Sequence, residues 1–286
     1  MKRLKTALAA LALATAAPFA AAVEIVVPAY FYPSWMPSMN EWNQLTAAAG
    51  QGVQITAIMN PGNGPGTAPN SDYVASVDAF RAAGGKVLGY VYTCYGVSHC
   101  TPEVPPTRST GDVLADAQKY ADWYRVDGVF LDEMASQTGT LPFYKTVSDG
   151  LHASHPGWQI VGNPGTVPAA GYTAVTNTLM SFEGSFSDFV NGAFLGSVTN
   201  AAATGAIVYG VATVTQMQQV MGLAKQHGLG AIYVTDGTLD SGNPYLHLPS
   251  YWSAEVAAAA AVPEPASVAL LLAGLAVVGA ARRRSR

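Results

Sequence analysis

Positive charge is scarce in this sequence, with only 14 lysine and arginine residues among 286. Half of them lie in two terminal segments, 1–22 and 257–286, that we expect to be removed from the mature protein. The remaining body has seven basic and 17 acidic residues, a net charge near −10. Nucleic acid is therefore an unfavourable partner, because its binding depends on lysine and arginine contacting phosphates. The acidic body suits a neutral or cationic ligand, or it serves only to keep the protein soluble.

The sequence also lacks several catalytic signatures. It contains no G-x-S-x-G nucleophile elbow, no H-E-x-x-H zinc motif and no P-loop. The segment after the first predicted strand, FYPSWMPSMN, contains no glycine, so it lacks the usual phosphate-binding turn of a doubly wound sheet. We expect neither a cofactor nor a bound metal ion.

Cysteine is nearly absent. The two cysteines, Cys94 and Cys100, lie close together in TCYGVSHC. An exported protein enters a compartment that permits disulfides, so we expect this pair to form a bridge that stiffens its loop. A metal site is the weaker alternative, since His99 is adjacent but no second ligand pair with a recognisable spacing exists.

Residues 1–22 have the features of a secretory signal peptide. Basic residues within the first five positions precede the apolar run LAALALATAAPFA, and Ala20–Ala22 provides a small-residue cleavage site. An N-terminal membrane anchor is the alternative. The apolar run is short and contains Pro18, which favours cleavage.

The segment 257–286 has three parts in order. Pro-Glu-Pro at 263–265 precedes an uncharged apolar stretch, predicted to span a membrane at about 266–281, and four arginines follow. This order resembles the PEP-CTERM sorting tail. The resemblance implies export through the inner membrane, transient insertion through the tail and cleavage by an exosortase-type enzyme, leaving the protein secreted or at the cell surface. A plain tail anchor is the alternative.

The body between these segments alternates strand-like and helix-like stretches. Eight apolar strand candidates lie at 24–31, 53–60, 86–93, 127–133, 158–163, 178–184, 205–211 and 230–236. Helical candidates between them include 110–125, 142–154, 186–202 and 213–227, and the segment 164–177 is the least clear. This alternation predicts an α/β fold, a (β/α)8 TIM-type barrel in a single domain at 23–256. A doubly wound open sheet also alternates in this way, but the missing glycine turn disfavours it.

Polar and aromatic residues recur at the carboxyl end of the predicted strands, where a barrel holds its active site. Among them, the stretch VDGVFLDEM at 126–134 ends in two adjacent acids, Asp132 and Glu133, and Glu183 follows in SFEGS. Buried carboxylates are costly unless they are paired or hydrogen-bonded, and crowding pushes their pKa values apart. Glycoside cleavage needs that division between two carboxyl groups. We therefore predict catalytic roles for the three acids and sugar contacts from Tyr30, Tyr32, Asn60, Tyr92, Asn163, Tyr209 and Asp236.

Each of these features has a simpler explanation when it is taken alone. An Asp-Glu pair after a strand is often a helix cap or a solvated turn, Glu183 could be an ion-pair partner, and strand tyrosines usually pack. Only their joint placement points to a site.

The motifs VPAYFYP, AIMNPGNGPG, GYVYTCYG, VDGVFLDEM, GNPGT, SFEGS, AIYVTDG and NPYLHLPSYW occur in one order over residues 25–252. In this the sequence resembles spherulation-specific family 4. The resemblance implies a barrel glycoside hydrolase that cuts galactosamine-containing exopolysaccharide in an endo fashion. It places the family's characteristic acids on Asp132, Glu133 and Glu183.

Three functions compete on this evidence. The first is an exported glycoside hydrolase acting on an extracellular polysaccharide, which the presence of all three acids favours. The second is a non-catalytic carbohydrate-binding or matrix protein on the same barrel. A sugar lyase or isomerase is the third, but it would normally need a metal or a lysine base, and Lys86 lies at the wrong end of its strand.

Overall fold

Short runs rich in valine, isoleucine and alanine form the strands of the fold. The run ITAIM is buried at every position, and EIVVPA is buried at all but its first residue. Such continuous apolar runs are typical of parallel strands covered on both faces. The computed structural model describes residues 23–34, 36, 39–96, 108–194 and 200–260.

Eight parallel strands pair in sequence order, and the first pairs with the last, so the sheet closes into a barrel. The predicted (β/α)8 barrel is therefore confirmed. The strands are β1 Glu24–Ala29, β2 Ile55–Met59, β3 Lys86–Tyr92, β4 Gly128–Asp132, β5 Gln159–Gly162, β6 Thr178–Ser185, β7 Thr204–Tyr209 and β8 Ala231–Val234.

Helices cover the outside of the barrel and bury one apolar stripe each. They are α1 Trp42–Ala49, α2 Ser71–Ala82, α3 Thr110–Tyr124, α4 Leu141–Ser154, α5 Phe186–Val190, α6 Val214–Gln226 and α7 Trp252–Ala260. In α3 the buried residues lie on one face of the helix: Val113, Ala117, Tyr120 and Tyr124.

One predicted helix differs from the structure. The helix predicted at 186–202 is wrong in length, because α5 ends at Val190 and a turn with Gly192 in the left-handed region follows. Residues 195–199 lie outside the described part. The stretch between β5 and β6 contains only a short 3-10 turn at Tyr172–Ala174.

The ends of the predicted domain need one adjustment. The last helix continues to Ala260, four residues beyond the predicted boundary at 256. Both the predicted signal peptide and the predicted membrane span at about 266–281 lie outside the described residues. Within the described residues, none of the helices is long and apolar enough to cross a membrane.

An ion pair between Arg81 and Asp127 stabilises the N-terminal end of the barrel. Asp127, directly before β4, accepts hydrogen bonds from Arg81 Nε at 3.0 Å and Nη2 at 2.7 Å, and from the Val87 N–H at 2.9 Å. The contacts show an acid neutralised by a cation, at the opposite end of β4 from Asp132.

Gly128, the first residue of β4, permits close approach of the neighbouring strand. A Cβ at this position would lie 2.0 Å from the carbonyl oxygen of Gln159 in β5. The register of β4 against β5, which brings Asp132 towards the β5 end, therefore requires glycine here.

We predict that Gly128→Ala destabilises the barrel by about 1–3 kcal/mol, the usual cost of overpacking a rigid site. Chemical denaturation of the purified 23–260 body measures this. Gly139→Ala is the matched control, because a Cβ there would meet nothing within 4 Å. Equal stability of the two variants would contradict the role of Gly128.

Candidate active site

Three neighbouring strands bring their carboxyl ends together around two acids. Asp132 is the last residue of β4, Asn163 follows β5 directly, and Glu183 lies near the end of β6. In β6 the pairing with β7 shifts register between Met180 and Phe182, two residues before Glu183. Such bulges commonly aim a side chain next to a functional site.

The amide of Asn163 joins the two acids. Its Nδ2 donates one hydrogen bond to Asp132 Oδ1 at 2.9 Å and another to Glu183 Oε2 at 2.8 Å. The orientation of the amide is fixed because its Oδ1 accepts the Gly165 N–H at 3.1 Å. Because both oxygens bind the same nitrogen, they lie no farther apart than the sum of these two distances, about 5.7 Å.

Two tyrosines complete the hydrogen bonding of the pair. Tyr90 donates its hydroxyl to Asp132 Oδ2 at 2.7 Å, and Tyr245 donates to Glu183 Oε1 at 2.6 Å. Tyr30 packs edge-on against both rings, with centroids 5.5 and 5.9 Å away. Burial raises the pKa values of all three hydroxyls, and the carboxylates raise them further, so the tyrosines remain neutral.

The protonation of Asp132 is shifted strongly. Burial, and then the negative charge of Glu183, raise the pKa of Asp132 to about 6, against the opposing hydrogen bonds from Tyr90 and Asn163. Like charges held this close disfavour simultaneous ionisation. Asp132 is therefore the acid of the pair that can hold a proton at mildly acidic pH.

Glu133 differs from the other two acids. Its backbone adopts φ 49°, a left-handed conformation that is uncommon for any residue but glycine. Its carboxylate has no hydrogen-bond partner among the described residues and lines the cavity. Burial raises the pKa of Glu133, and the charge of Arg108 opposes that shift.

The acids lie where two cavities meet. The first cavity has a volume of about 360 Å³ and the second about 310 Å³. Both are lined in part by Asp132, Asn163, Glu183 and Leu239. The first also includes Tyr95, Glu133 and Tyr209, and the second includes Tyr30, Asn60, Tyr90 and Tyr245. Neither lining contains lysine, arginine or histidine within the described part of the chain, so the site as a whole is acidic.

Four of the seven predicted sugar-contacting residues line these cavities: Tyr30, Asn60, Asn163 and Tyr209. The other three, Tyr32, Tyr92 and Asp236, lie outside both linings. Tyr32 is half-exposed and donates its hydroxyl to Asp72 at 2.6 Å. Tyr92 is buried beneath the guanidinium of Arg108, 4.0 Å from its ring centroid.

Asp236 belongs to a neighbouring cavity beside His247. Its Oδ2 accepts hydrogen bonds from the backbone N–H and the hydroxyl of Ser250.

Sequence reasoning missed the roles of four residues in the site. The sequence prediction names Tyr92 and not Tyr90. The two tyrosines are two residues apart and so face the same side of β3, and only their contacts, with Asp132 for Tyr90 and with Arg108 for Tyr92, distinguish them. Tyr95, Leu239 and Tyr245 lie on loops beyond β3 and β8, where periodicity gives no signal. Tyr245 does fall in NPYLHLPSYW, the one motif that could have found it.

Only one cysteine of the predicted disulfide lies among the described residues. Cys94 is buried and disulfide-bonded, while Cys100 lies outside the described residues, so the pairing of the two remains a prediction. Among the described residues, no group of three or more His, Cys, Asp or Glu side chains could hold a metal ion.

Comparison with solved structures supports the fold. Sph3 of Aspergillus clavatus, solved in complex with GalNAc, superposes with a TM-score of 0.70 at 24% identity, covering 84% of this chain and 98% of that one. A cyclic α-maltosyl-(1→6)-maltose hydrolase from Arthrobacter globiformis gives a TM-score of 0.55 at 11% identity, covering 84% and 82%. This chain therefore shares its fold with these two proteins.

Comparison of sequences establishes the family. Spherulin-4 of Physarum polycephalum is 31% identical over 247 residues, which are 82% of this chain and 70% of that protein. The PEP-CTERM protein-sorting motif matches residues 261–285 and indicates export and exosortase processing. The model of spherulation-specific family 4 matches residues 24–259, and the chain therefore belongs to this family.

Proposed function

We propose that this protein is an exported, endo-acting glycoside hydrolase that cleaves an extracellular polysaccharide. The observation that carries the proposal is the bridging of Asp132 and Glu183 by one Asn163 amide at the mouth of the barrel. Two carboxyl groups about 5–5.5 Å apart are the arrangement that retaining glycosidases use, whereas inverting enzymes need about 6.5–9.5 Å.

The different surroundings of the two acids would give them different catalytic roles, one as proton donor and one as nucleophile. Asp132, with its pKa raised to about 6, gives its proton to the oxygen of the leaving sugar. Glu183, which accepts hydrogen bonds from Tyr245 and Asn163, attacks the anomeric carbon as a carboxylate. The C–O bond breaks, and a glycosyl ester forms on Glu183. Asp132 then removes a proton from water, which attacks the ester and releases Glu183.

The position of the acids explains an endo mode of attack. Because the acids lie where two cavities meet, sugar rings can extend on both sides of the bond to be cleaved. A pocket closed on one side would admit only a chain end.

An amino sugar is the substrate class that the surroundings favour. The linings described above contain acids, amides and aromatic rings but no cationic side chain, and the body carries a net charge near −10. This field attracts a cationic ligand and does not repel a neutral one. The GalNAc bound in the Sph3 structure supports a galactosamine-containing polymer.

Changing the central acids tests catalysis directly. We expect Asp132→Asn and Glu183→Gln to lose at least about 10²–10⁴-fold in turnover, since each removes an acid–base or nucleophilic function at nearly constant shape. New reducing ends released from a galactosamine-containing exopolysaccharide measure this.

Asp149→Asn is the matched control, because Asp149 is exposed on α4, away from the site, and among the described residues pairs with Lys145 alone. If the two site variants fold and cleave as fast as the control, the hydrolase proposal fails. Sugar binding by the unaltered protein without cleavage of any polymer would favour a carbohydrate-binding protein instead.

The pH dependence tests which acid holds the proton. A proton donor must be protonated, so kcat/KM should fall as pH rises through about 6, the pKa of Asp132. The Tyr90 hydrogen bond lowers this pKa. Tyr90→Phe should therefore move the decline to higher pH, while Tyr245→Phe, which leaves the hydrogen bonds of Asp132 in place, should not. A decline that stays unmoved in Tyr90→Phe would exclude Asp132 as the donor.

Processing is tested by the mass of the mature protein. We expect the exported form to lack residues 1–22 and to end near Pro263–Pro265, without the four arginines. Intact-mass spectrometry of cell-surface and culture fractions measures both ends. An envelope protein that retains Arg286 would show a plain tail anchor.

A further inference from the structure

A strained turn follows β3 at the rim of the larger cavity. Tyr95 has φ 53° and ψ 20°, and Cys94 before it has φ 52°. Both lie in the left-handed region, which is unfavourable for a bulky side chain. Conformations of this kind persist where the surrounding structure fixes them, and they concentrate at functional sites.

The surroundings of this turn fix it firmly. The Tyr95 N–H donates to the carbonyl oxygen of Glu133 at 2.7 Å, and the Gly96 N–H donates to that of Thr93 at 3.0 Å. The buried hydroxyl of Thr93 lies 2.9 Å from the Glu133 carbonyl oxygen. On the other side, Cys94 is fully buried and disulfide-bonded. These hydrogen bonds therefore attach the turn to the backbone of Glu133, the residue that follows Asp132.

The side chain of Tyr95, which this turn carries, is only partly buried. Tyr95 is 49% exposed and lines the cavity beside Glu133, together with Leu239, which is 60% exposed. The hydroxyl of Tyr95 has no hydrogen-bond partner among the described residues. Burial, then the charges of Glu133, Asp132 and Glu183, raise the pKa of Tyr95, so the ring stays neutral. Packing therefore does not account for the position of this ring.

We propose that Tyr95 is a substrate-binding residue, a platform on which a sugar ring next to the cleaved bond stacks, and that the disulfide at Cys94 holds it in position. This inference rests on the proposed hydrolase function and adds a residue that the sequence did not single out. A flat aromatic face on a fixed backbone loses little conformational freedom on binding, which is what a stacking platform requires.

Binding to an inactive variant tests the proposal without interference from turnover. In a Glu183→Gln background, calorimetry with oligosaccharides prepared from a galactosamine-containing exopolysaccharide gives Kd. Tyr95→Asn removes the ring but keeps a residue that tolerates the left-handed region. We expect Kd to rise about tenfold in Tyr95→Asn and to stay within about twofold in Tyr95→Phe.

The disulfide is tested with the same assay. Reduction and alkylation should raise Kd of the Glu183→Gln protein by a similar factor. In Glu183→Gln/Tyr95→Asn they should have little further effect, because the ring they would displace is already absent. Melting temperatures of all forms show that the barrel remains folded.

The outcomes separate this inference from the proposed function. If Glu183→Gln binds the oligosaccharides and Tyr95→Asn does not weaken that binding, the Tyr95 platform is excluded while the hydrolase proposal stands. An equal effect of reduction with and without the Tyr95 ring excludes the positioning role of the disulfide. If Glu183→Gln binds none of the oligosaccharides, both the substrate class and the platform are wrong.

Discussion

One amide nitrogen holds two like-charged acids within hydrogen-bond distance of itself, and the rest of the site depends on that constraint. Asn163 satisfies one oxygen of Asp132 and one of Glu183, and a tyrosine satisfies the other oxygen of each. No cation lies in either cavity lining in the described part of the chain, so neutral donors alone offset the repulsion. Asp127, at the opposite end of β4, is instead neutralised by Arg81. One end of this strand thus carries an acid paired with a cation, and the other an acid that binds only neutral donors.

The barrel provides this geometry because its strands are parallel and its sheet is closed. All carboxyl ends face one side, so Asp132, Asn163 and Glu183 come from three consecutive strands without long loops. Close strand approach at Gly128 sets the register of β4, and the irregularity after Met180 precedes Glu183. The backbone thus fixes the positions of the acids before any substrate arrives, which is the preorganisation that electrostatic catalysis requires.

The sequence predicted the parts of this arrangement that follow from periodicity and strand direction. Eight apolar runs predicted the barrel, and the position of Asp132 and Glu183 relative to those runs predicted their common location. It could not separate Tyr90 from Tyr92, because residues two apart share one face of a strand and only the structure shows that Tyr90 reaches Asp132 while Arg108 covers Tyr92. Periodicity also gave no signal for Tyr245 or Tyr95, since their positions depend on loop conformations, including two consecutive left-handed residues at Cys94 and Tyr95. Tyr32 was placed among the sugar contacts because it lies at the carboxyl end of the first predicted strand, but its hydroxyl donates to Asp72 and it lines neither cavity.

The central claim is that the Asn163-bridged pair acts directly, with one acid as nucleophile and the other as proton donor. The most direct test is proton NMR of the first-formed product while the purified barrel cleaves a galactosamine-containing oligosaccharide of defined anomeric configuration. The account predicts that the new reducing end first appears with the configuration of the bond that was cut and only later mutarotates. First appearance of the opposite anomer would contradict it, because inversion requires room for a water molecule between the carboxyl groups that this spacing does not leave.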